Sequence, residues 1–116
     1  MILLVEDEDA VAEGIGALLA LENWEVLRAS GVREALELSD REPRMAIIDV
    51  SLGDGDGRDL GAALRKTYPE LPLLFISGHI TRSELGEIAS SGKTAFLQKP
   101  FGSSSLLESI NQLLET

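Results

Sequence analysis

The chain has 116 residues, of which 44% are hydrophobic and 26% charged, and its formal net charge is −10. This composition predicts one globular domain over residues 1–116, and so acidic a surface disfavours direct binding to nucleic acid or to anionic lipid. The absence of cysteine excludes a disulfide scaffold, a zinc ribbon and thiol catalysis, and no apolar run reaches the roughly 20 residues of a membrane helix. We therefore expect a cytoplasmic protein.

The first half of the chain alternates between two apolar patterns. Short apolar runs bounded by turn residues predict strands, and apolar residues spaced three or four apart predict helices. In chain order these are a strand over 1–5, a helix over 10–21 that stops at Asn23, a strand over 24–29, and a helix capped by Ser30 that runs to about Asp40. We expect this second helix to place Ala35, Leu36 and Leu38 on or near its inner face.

The second half repeats the alternation around one acidic residue. Four apolar residues, 45–48, end in Asp49, and a glycine-rich turn follows as far as Gly57. This pattern predicts a buried third strand with a carboxylate at its tip. The elements expected after it are a helix over 59–66, a strand over 71–76, a helix from the capping sequence 81–84 to about Ser90, a strand over 94–98, and a last helix beginning near Ser103, Ser104 or Ser105.

Five strand–helix units predict an α/β fold with a parallel sheet and helices on both faces. The first, third and fourth strands are nearly unbroken apolar runs, which is typical of central parallel strands. The second and fifth strands mix in polar residues, so we expect them at the edges. This arrangement favours the flavodoxin-like doubly wound sheet with strand order 2-1-3-4-5.

Chemically active side chains follow four of the five predicted strands. The carboxyl ends of parallel strands meet at one edge of a sheet, so these side chains are expected to face one crevice. They are Glu6 and Asp7 after the first strand, Asp49 after the third, Ser77 after the fourth and Lys99 after the fifth.

Three carboxylates in one crevice need positive charge to hold them. At about 5 Å and an effective dielectric of about 20, each carboxylate pair repels by about 3 kcal/mol. Oxygen ligands in an open site suit Mg²⁺, and Lys99 adds a fixed positive charge. An aspartate beside Mg²⁺, a lysine and a hydroxyl predicts phosphoryl transfer to Asp49, with Ser77 donating a hydrogen bond to the transferred group.

Taken in order, these motifs resemble the receiver domain of two-component response regulators, which has the CheY-like fold. The resemblance covers essentially the whole chain. The matching motifs are the acidic pair Glu6-Asp7, the loop Asp-x-x-Leu-x-Asp-Gly-x-Gly beginning at Asp49, the pair Ser77-Gly78, and Lys99-Pro100-Phe101, where the family has a cis peptide before the proline.

The resemblance implies a role for each matched residue. Asp49 is the expected phosphoacceptor, assisted by Lys99 and Ser77. The implied Mg²⁺ ligands are Glu6, Asp7, Asp49 and the backbone carbonyl of Ser51. The first acid is a glutamate here where the family more often has aspartate, and Gly53 stands where proline is frequent.

The resemblance also implies how the domain signals. A histidine kinase or a histidine phosphotransfer protein donates the phosphoryl group, after which Ser77 and Phe96 move inward. This movement changes the face made by the fourth helix, the fifth strand and the last helix (the α4-β5-α5 face of the family). Such a domain promotes only its own phosphorylation and dephosphorylation, so we do not expect an enzyme with a separate substrate. A fused kinase or output domain and a homodimer are compatible with the sequence.

Three other functions fit the same residues less well. An Mg²⁺-dependent aspartyl phosphatase of the haloacid dehalogenase type needs a second aspartate two residues after Asp49, where Ser51 stands. An FMN protein needs a phosphate-binding loop after the first strand, where the acids at 6–9 repel phosphate. A receiver-like docking module that is never phosphorylated would usually have lost an acid or the lysine, and this chain retains them.

Overall fold

The computed structural model describes residues 1–84, 86 and 92–115, and its central feature is a five-stranded parallel sheet. The strands of this sheet are β1 (Ile2–Val5), β2 (Val26–Ala29), β3 (Met45–Asp49), β6 (Leu73–Ser77) and β7 (Thr94–Gln98). Their order is β2-β1-β3-β6-β7, which confirms the predicted order 2-1-3-4-5 and its edge strands. A two-stranded antiparallel hairpin of β4 (Ser51–Leu52) and β5 (Gly55–Asp56) occupies the glycine-rich turn, where the sequence predicted only a loop.

Helices follow the strands on both sides of the sheet. They are α1 (Asp9–Leu21), α2 (Val32–Leu38) with a 3₁₀ turn over Ser39–Arg41, α3 (Gly57–Thr67) and the C-terminal helix (Ser103–Glu115). Residues 82–84 are helical and the Thr81 hydroxyl accepts from the Glu84 amide at 3.1 Å, as the capping sequence predicts. The rest of the predicted fourth helix, to about Ser90, lies outside the described residues. Within the described part of the chain, no helix combines the length and apolarity needed to cross a bilayer.

Two apolar layers sandwich the sheet. Successive strand residues point to opposite faces, so Ile2 and Leu4 of β1 pack with α1 and the C-terminal helix, while Leu3 and Val5 pack with α2 and α3. β1 and β3 are buried along their whole length. The buried strands therefore give a rigid support to the side chains at the carboxyl edge of the sheet.

Phe75 of β6 joins α3 to the edge of the sheet. Its ring lies 5.1 Å, centroid to centroid, from the ring of Phe96 on β7. On its other side the Phe75 ring lies over Gly61 of α3, where an added Cβ would stand only 2.7 Å from Phe75 Cζ. The absence of a side chain at position 61 thus makes room for the aromatic pair.

Two details of α2 differ from the sequence prediction. Leu36 was expected near the inner face but is 46% exposed, because Ala35 and Leu38, three residues apart, fill the inward side of this two-turn helix. Ser30 was expected to cap the helix, but its hydroxyl donates to the Glu34 carboxylate instead. The backbone amides at the start of α2 bind the Asp54 carboxylate of the β4–β5 turn, at 2.8 and 3.2 Å.

Three other boundaries shift by two residues. β2 begins at Val26 and not at 24, because the Trp24 amide is still bonded to the Leu19 carbonyl at the end of α1, beyond a left-handed Asn23 (φ 64°). β6 begins at Leu73 and includes Ser77. α3 begins at Gly57, since the preceding Asp56 carboxylate accepts from the Arg58 amide and caps the helix.

Candidate functional site

The carboxyl edge of the sheet gathers three acidic side chains from two neighbouring strands. Asp49 is the last residue of β3, and Glu6 and Asp7 directly follow β1, with which β3 pairs. One carboxylate oxygen from each of the three lies within 4.8 Å of the others. Glu6 and Asp49 are buried whereas Asp7 is exposed, so the cluster opens to solvent on one side.

Lys99 binds the two buried acids together. Its Nζ lies 2.9 Å from Asp49 Oδ2 and 2.9 Å from Glu6 Oε1. A backbone hydrogen bond holds the lysine in place: its amide donates to the Ser77 carbonyl at 2.7 Å, just beyond the paired part of β6 and β7. The Lys99–Pro100 peptide is cis, in agreement with the expectation. The structure thus brings together Lys99, Asp49 and Glu6 as the sequence predicted.

Burial and neighbouring charges shift the pKa values of Glu6 and Asp49 in opposite directions. Burial raises the pKa of Glu6 to about 7, and the neighbouring Asp49 carboxylate adds to the rise while Lys99 opposes it. Burial alone would also raise the pKa of Asp49, but Glu6, Lys99 and the Ser51 amide together bring it below its usual value. The pKa of Lys99 is raised because its two acidic partners outweigh its desolvation. Asp49 is therefore the more acidic member of the pair, which favours the ionised form that a nucleophile needs.

The acidic cluster fits a hard divalent cation. Glu6 Oε2 is buried and has no hydrogen-bond partner among the described residues, which is costly for an oxygen in the protein interior. Mg²⁺ prefers a few carboxylate oxygens and retains several waters, and the exposed Asp7 leaves room for them. The donor set at these residues therefore suits Mg²⁺.

The glycine-rich turn after Asp49 holds the second oxygen of its carboxylate. The Ser51 amide donates to Asp49 Oδ1 at 3.0 Å, and the β4–β5 hairpin fixes the position of Ser51. The chain then comes back against the end of β3, where the Gly57 amide donates to the carbonyl of Val50, the residue that follows β3, at 2.8 Å. A Cβ at Gly57 would collide with the Asp49 carbonyl, so this close return requires a glycine.

The two predicted switch residues, Ser77 and Phe96, are not among the described hydrogen-bond partners of the Asp49 carboxylate, which are Ser51 and Lys99. Ser77 is 7% exposed, and its hydroxyl donates to the His79 carbonyl at 2.8 Å and accepts from the His79 amide at 3.2 Å. Phe96 is half-buried against Phe75. Both residues thus flank the β6–β7 side of the site, and the Ser77 hydroxyl is engaged within its own turn.

Sequence reasoning missed one residue that holds the site. Arg28 of β2 donates from Nη2 (2.8 Å) and Nε (3.3 Å) to the Glu6 carbonyl, and its Nη1 lies 2.9 Å from Asp9 Oδ1. In the sequence, Arg28 is only one of the polar residues that mark the second strand as an edge strand. The available signal was its position one residue before the end of β2, next to β1 and the acidic run that follows β1.

A groove of about 510 Å³ adjoins the site on the α1 side. It is mostly apolar, and Lys99 is one of its lining residues. Its lining consists of Ala10, Val11, Gly14, Ile15 and Leu18 of α1 together with Lys99, Pro100 and Phe101.

Comparison with known proteins gives a consistent result. The model of the response regulator receiver domain matches residues 2–111. Over 98% of the chain, the sequence is 34% identical to the sensor kinase CckA of Brucella abortus, of which it covers 12%. Over 97% of the chain, it is 35% identical to the response regulator MprA of Mycolicibacterium vanbaalenii, of which it covers 49%.

A solved structure extends the comparison to three dimensions. The receiver domain of NtrX from Brucella abortus superposes with a TM-score of 0.88 at 32% identity, covering 100% of this chain and 99% of that one. By contrast, the chain spans half or less of the length of the two curated relatives above. In those longer proteins the matching segment is one part of a kinase or of a regulator.

Proposed function

The chain belongs to the response regulator receiver family, the phosphoacceptor signalling domains of two-component systems, and from this premise we propose that Asp49 is its phosphoacceptor. The observation that carries the proposal is the pairing of Asp49 Oδ2 with Lys99 Nζ at 2.9 Å. An ionised, rigidly held carboxylate at the open edge of the sheet is a nucleophile in position to react.

The proposed step forms an aspartyl phosphate. An oxygen of the Asp49 carboxylate attacks phosphorus as the P–N bond of a phosphohistidine breaks. The electron pair of that bond stays on the imidazole, which takes up a proton. The Lys99 ammonium neutralises charge on the transferred oxygens, and it is already fixed at Asp49 before the donor arrives.

Mg²⁺ is the proposed cofactor. We assign its ligands to Glu6, Asp7, Asp49 and the backbone carbonyl of Ser51. When bound, the ion supplies positive charge to the phosphoryl oxygens. The support for this assignment is the acidic cluster itself and the buried Glu6 oxygen without a partner.

Ser77 and Phe96 are the proposed switch. Once the phosphoryl group is in place, the Ser77 hydroxyl leaves its bond to the His79 carbonyl and donates to a phosphoryl oxygen. Phe96, whose ring contacts Phe75, then moves inward with Ser77. The proposed signalling face includes β7 and the C-terminal helix, and the helix expected between β6 and β7, which would complete it, lies largely outside the described residues.

A histidine kinase or a histidine phosphotransfer protein is the proposed phosphodonor, with its histidine-bearing helix docked in the α1 groove. The groove is mostly apolar, and Lys99, one of its lining residues, contacts Asp49, so a helix lying in it would bring its histidine close to Asp49. In this account the chain acts on no separate substrate and operates in the cytoplasm, which its lack of cysteine allows. Val11→Asp should slow transfer from autophosphorylated kinase cores yet leave labelling by acetyl phosphate unchanged; equal slowing with both donors would contradict the docking assignment.

The phosphoacceptor assignment is tested by intact mass spectrometry with acetyl phosphate. The wild-type chain should gain one phosphoryl mass in the presence of Mg²⁺ and none after chelation with EDTA. Asp49→Asn should gain none under either condition. The matched control is Asp59→Asn, which neutralises an exposed aspartate of α3 and should label like the wild type. Labelling that persists in Asp49→Asn would reject the assignment, and an unlabelled wild type would favour a docking module.

A further inference from the structure

Two side chains from elsewhere in the chain hold the segment that carries two of the acids, residues 6–9: Lys99 binds the Glu6 carboxylate, and Arg28 binds the Glu6 backbone. Arg28 reaches it from β2, across the β1–β2 pairing in which Leu4 lies opposite Arg28. Two guanidinium nitrogens bind one backbone oxygen, that of Glu6, and the third binds the Asp9 carboxylate at the start of α1. The guanidinium therefore bridges both ends of the segment.

This bridge fixes the peptide plane between Glu6 and Asp7. The Glu6 amide is already bonded to the Ala29 carbonyl at 3.1 Å, so with Arg28 on the Glu6 carbonyl both polar atoms of that residue's backbone are held by β2. Asp7, by contrast, is exposed, and among the described residues no backbone hydrogen bond holds it in the same way. Its carboxylate direction depends on the backbone that Arg28 holds.

We propose that Arg28 is a positioning residue for metal binding, which holds the Glu6–Asp9 segment so that the Asp7 and Glu6 carboxylates face Asp49. This inference rests on the proposed Mg²⁺ site. It assigns Arg28 no contact with the ion or with the phosphoryl group. Groups that orient metal ligands from behind contribute strongly to affinity, and their loss commonly weakens binding about 10- to 100-fold.

The sign of the effect separates positioning from simple electrostatics. Arg28 is a cation near a cation site, so on charge alone its removal should strengthen Mg²⁺ binding. Positioning predicts the opposite, since a freed segment must be ordered again when the ion binds. A lysine at position 28 keeps the charge but lacks the planar fork that binds the carbonyl and the carboxylate at once.

The test is direct Mg²⁺ titration by isothermal calorimetry, without any phosphodonor. We expect Arg28→Ala to raise the dissociation constant about 10-fold, and Arg28→Lys to fall between Arg28→Ala and the wild type. Arg41→Ala is the matched control, because it removes an exposed arginine from the 3₁₀ turn and should bind like the wild type. Circular dichroism at the titration temperature checks that each variant is folded, and a fully folded Arg28→Lys decides the matter if Arg28→Ala unfolds.

The possible outcomes separate this inference from the function on which it rests. Tight Mg²⁺ binding by the wild type together with equal or tighter binding by both Arg28 variants would overturn the positioning role alone. Failure of the wild type to bind Mg²⁺ would overturn the metal site and this inference with it. The phosphoacceptor test is separate, because it compares the labelling of Asp49→Asn with that of the wild type and does not use the Arg28 variants.

Discussion

The ammonium of Lys99 lies 2.9 Å from Asp49 Oδ2 and equally close to Glu6 Oε1, so one cation serves two buried acids. We expect Lys99→Met, which keeps the length of the side chain without its charge, to slow labelling by acetyl phosphate on the order of 100-fold at saturating Mg²⁺. The reason is that charge on the transferred oxygens loses its fixed partner. Mass spectrometry at timed intervals gives the rate.

Lys93→Met is the matched control for Lys99→Met. Lys93 precedes the opposite end of β7, where its ammonium lies 3.4 Å from the exposed Glu70 carboxylate. The same charge is removed far from the carboxyl edge of the sheet, so labelling should stay close to the wild-type rate. A rate for Lys99→Met as high as that of Lys93→Met would show that the ammonium at Asp49 has no part in the reaction.

A second prediction concerns Mg²⁺ and stability. Mg²⁺ at about 100 times its dissociation constant should stabilise the folded chain by about 2.7 kcal/mol. Glu6→Gln removes one of the carboxylates; if affinity drops about 10-fold, the gain at the same Mg²⁺ concentration becomes about 1.4 kcal/mol. Without Mg²⁺ the same variant should be more stable than the wild type, because a buried carboxylate beside Asp49 is gone.

Urea unfolding with and without Mg²⁺ measures both effects of Glu6→Gln. Glu13→Gln neutralises an exposed glutamate of α1 and provides the comparison. An equal Mg²⁺ gain in Glu6→Gln and Glu13→Gln would remove Glu6 from the ligand set.

A third prediction compares two glycines with opposite outcomes. Gly57→Ala would drive a Cβ into the Asp49 carbonyl and to 2.8 Å from Ile48 Cγ2, so we expect a loss of about 3 kcal/mol or more in the free energy of unfolding. Gly16→Ala in the middle of α1 meets no atom within 4 Å and should instead add about 0.5–1 kcal/mol through helix propensity. Urea unfolding of both variants measures the difference, and a stable Gly57→Ala would contradict the close return of the chain.

A fourth prediction follows from the capping of α2 by Asp54. Hydrogen bonds from the Val32 and Arg33 amides lower the pKa of Asp54 below its usual 3.8. A carboxyl whose folded pKa is lowered stabilises the fold above the unfolded pKa, and this contribution is lost as the pH falls through the folded pKa. Asp54→Ala should therefore be less stable than the wild type at pH 7, and the difference should shrink below about pH 4.

Urea unfolding across this pH range tests the Asp54 cap. Glu108→Ala is the control, because it removes an exposed carboxylate from the interior of the C-terminal helix and not from a helix start. A difference between Asp54→Ala and the wild type that stays constant down to pH 2 would show that the carboxylate is not the capping group.

The sheet could be predicted from the sequence because the local composition of a parallel strand indicates whether it is central or at an edge. The unbroken apolar runs of β1 and β3 require burial on both faces, and the mixed runs of β2 and β7 fit an edge. The meeting of Asp49 and Lys99 followed from the strand order alone, since both residues leave the same edge. Leu36 was misplaced because a two-turn helix has too narrow an inner face for three neighbouring apolar residues.

The contacts that were missed join residues far apart in the chain. Arg28 to Glu6 and Asp54 to Val32 each span 22 residues, and no local pattern encodes either partner. The direction of the Ser77 hydroxyl is equally hidden, because a serine at a strand end has a backbone acceptor close at hand in its own turn.

The space left by the missing side chain of Gly61 couples the residue types that positions 61, 75 and 96 can accept. Because the Phe75 ring fills the space over residue 61 and supports Phe96 on its far side, a mutation that enlarges residue 61 must be matched by a smaller residue at 75. A smaller residue at 75 also removes the ring against which Phe96 packs. Among homologous sequences we therefore expect the sizes of residues 61 and 75 to vary inversely, with the aromatic at 96 following the larger residue at 75.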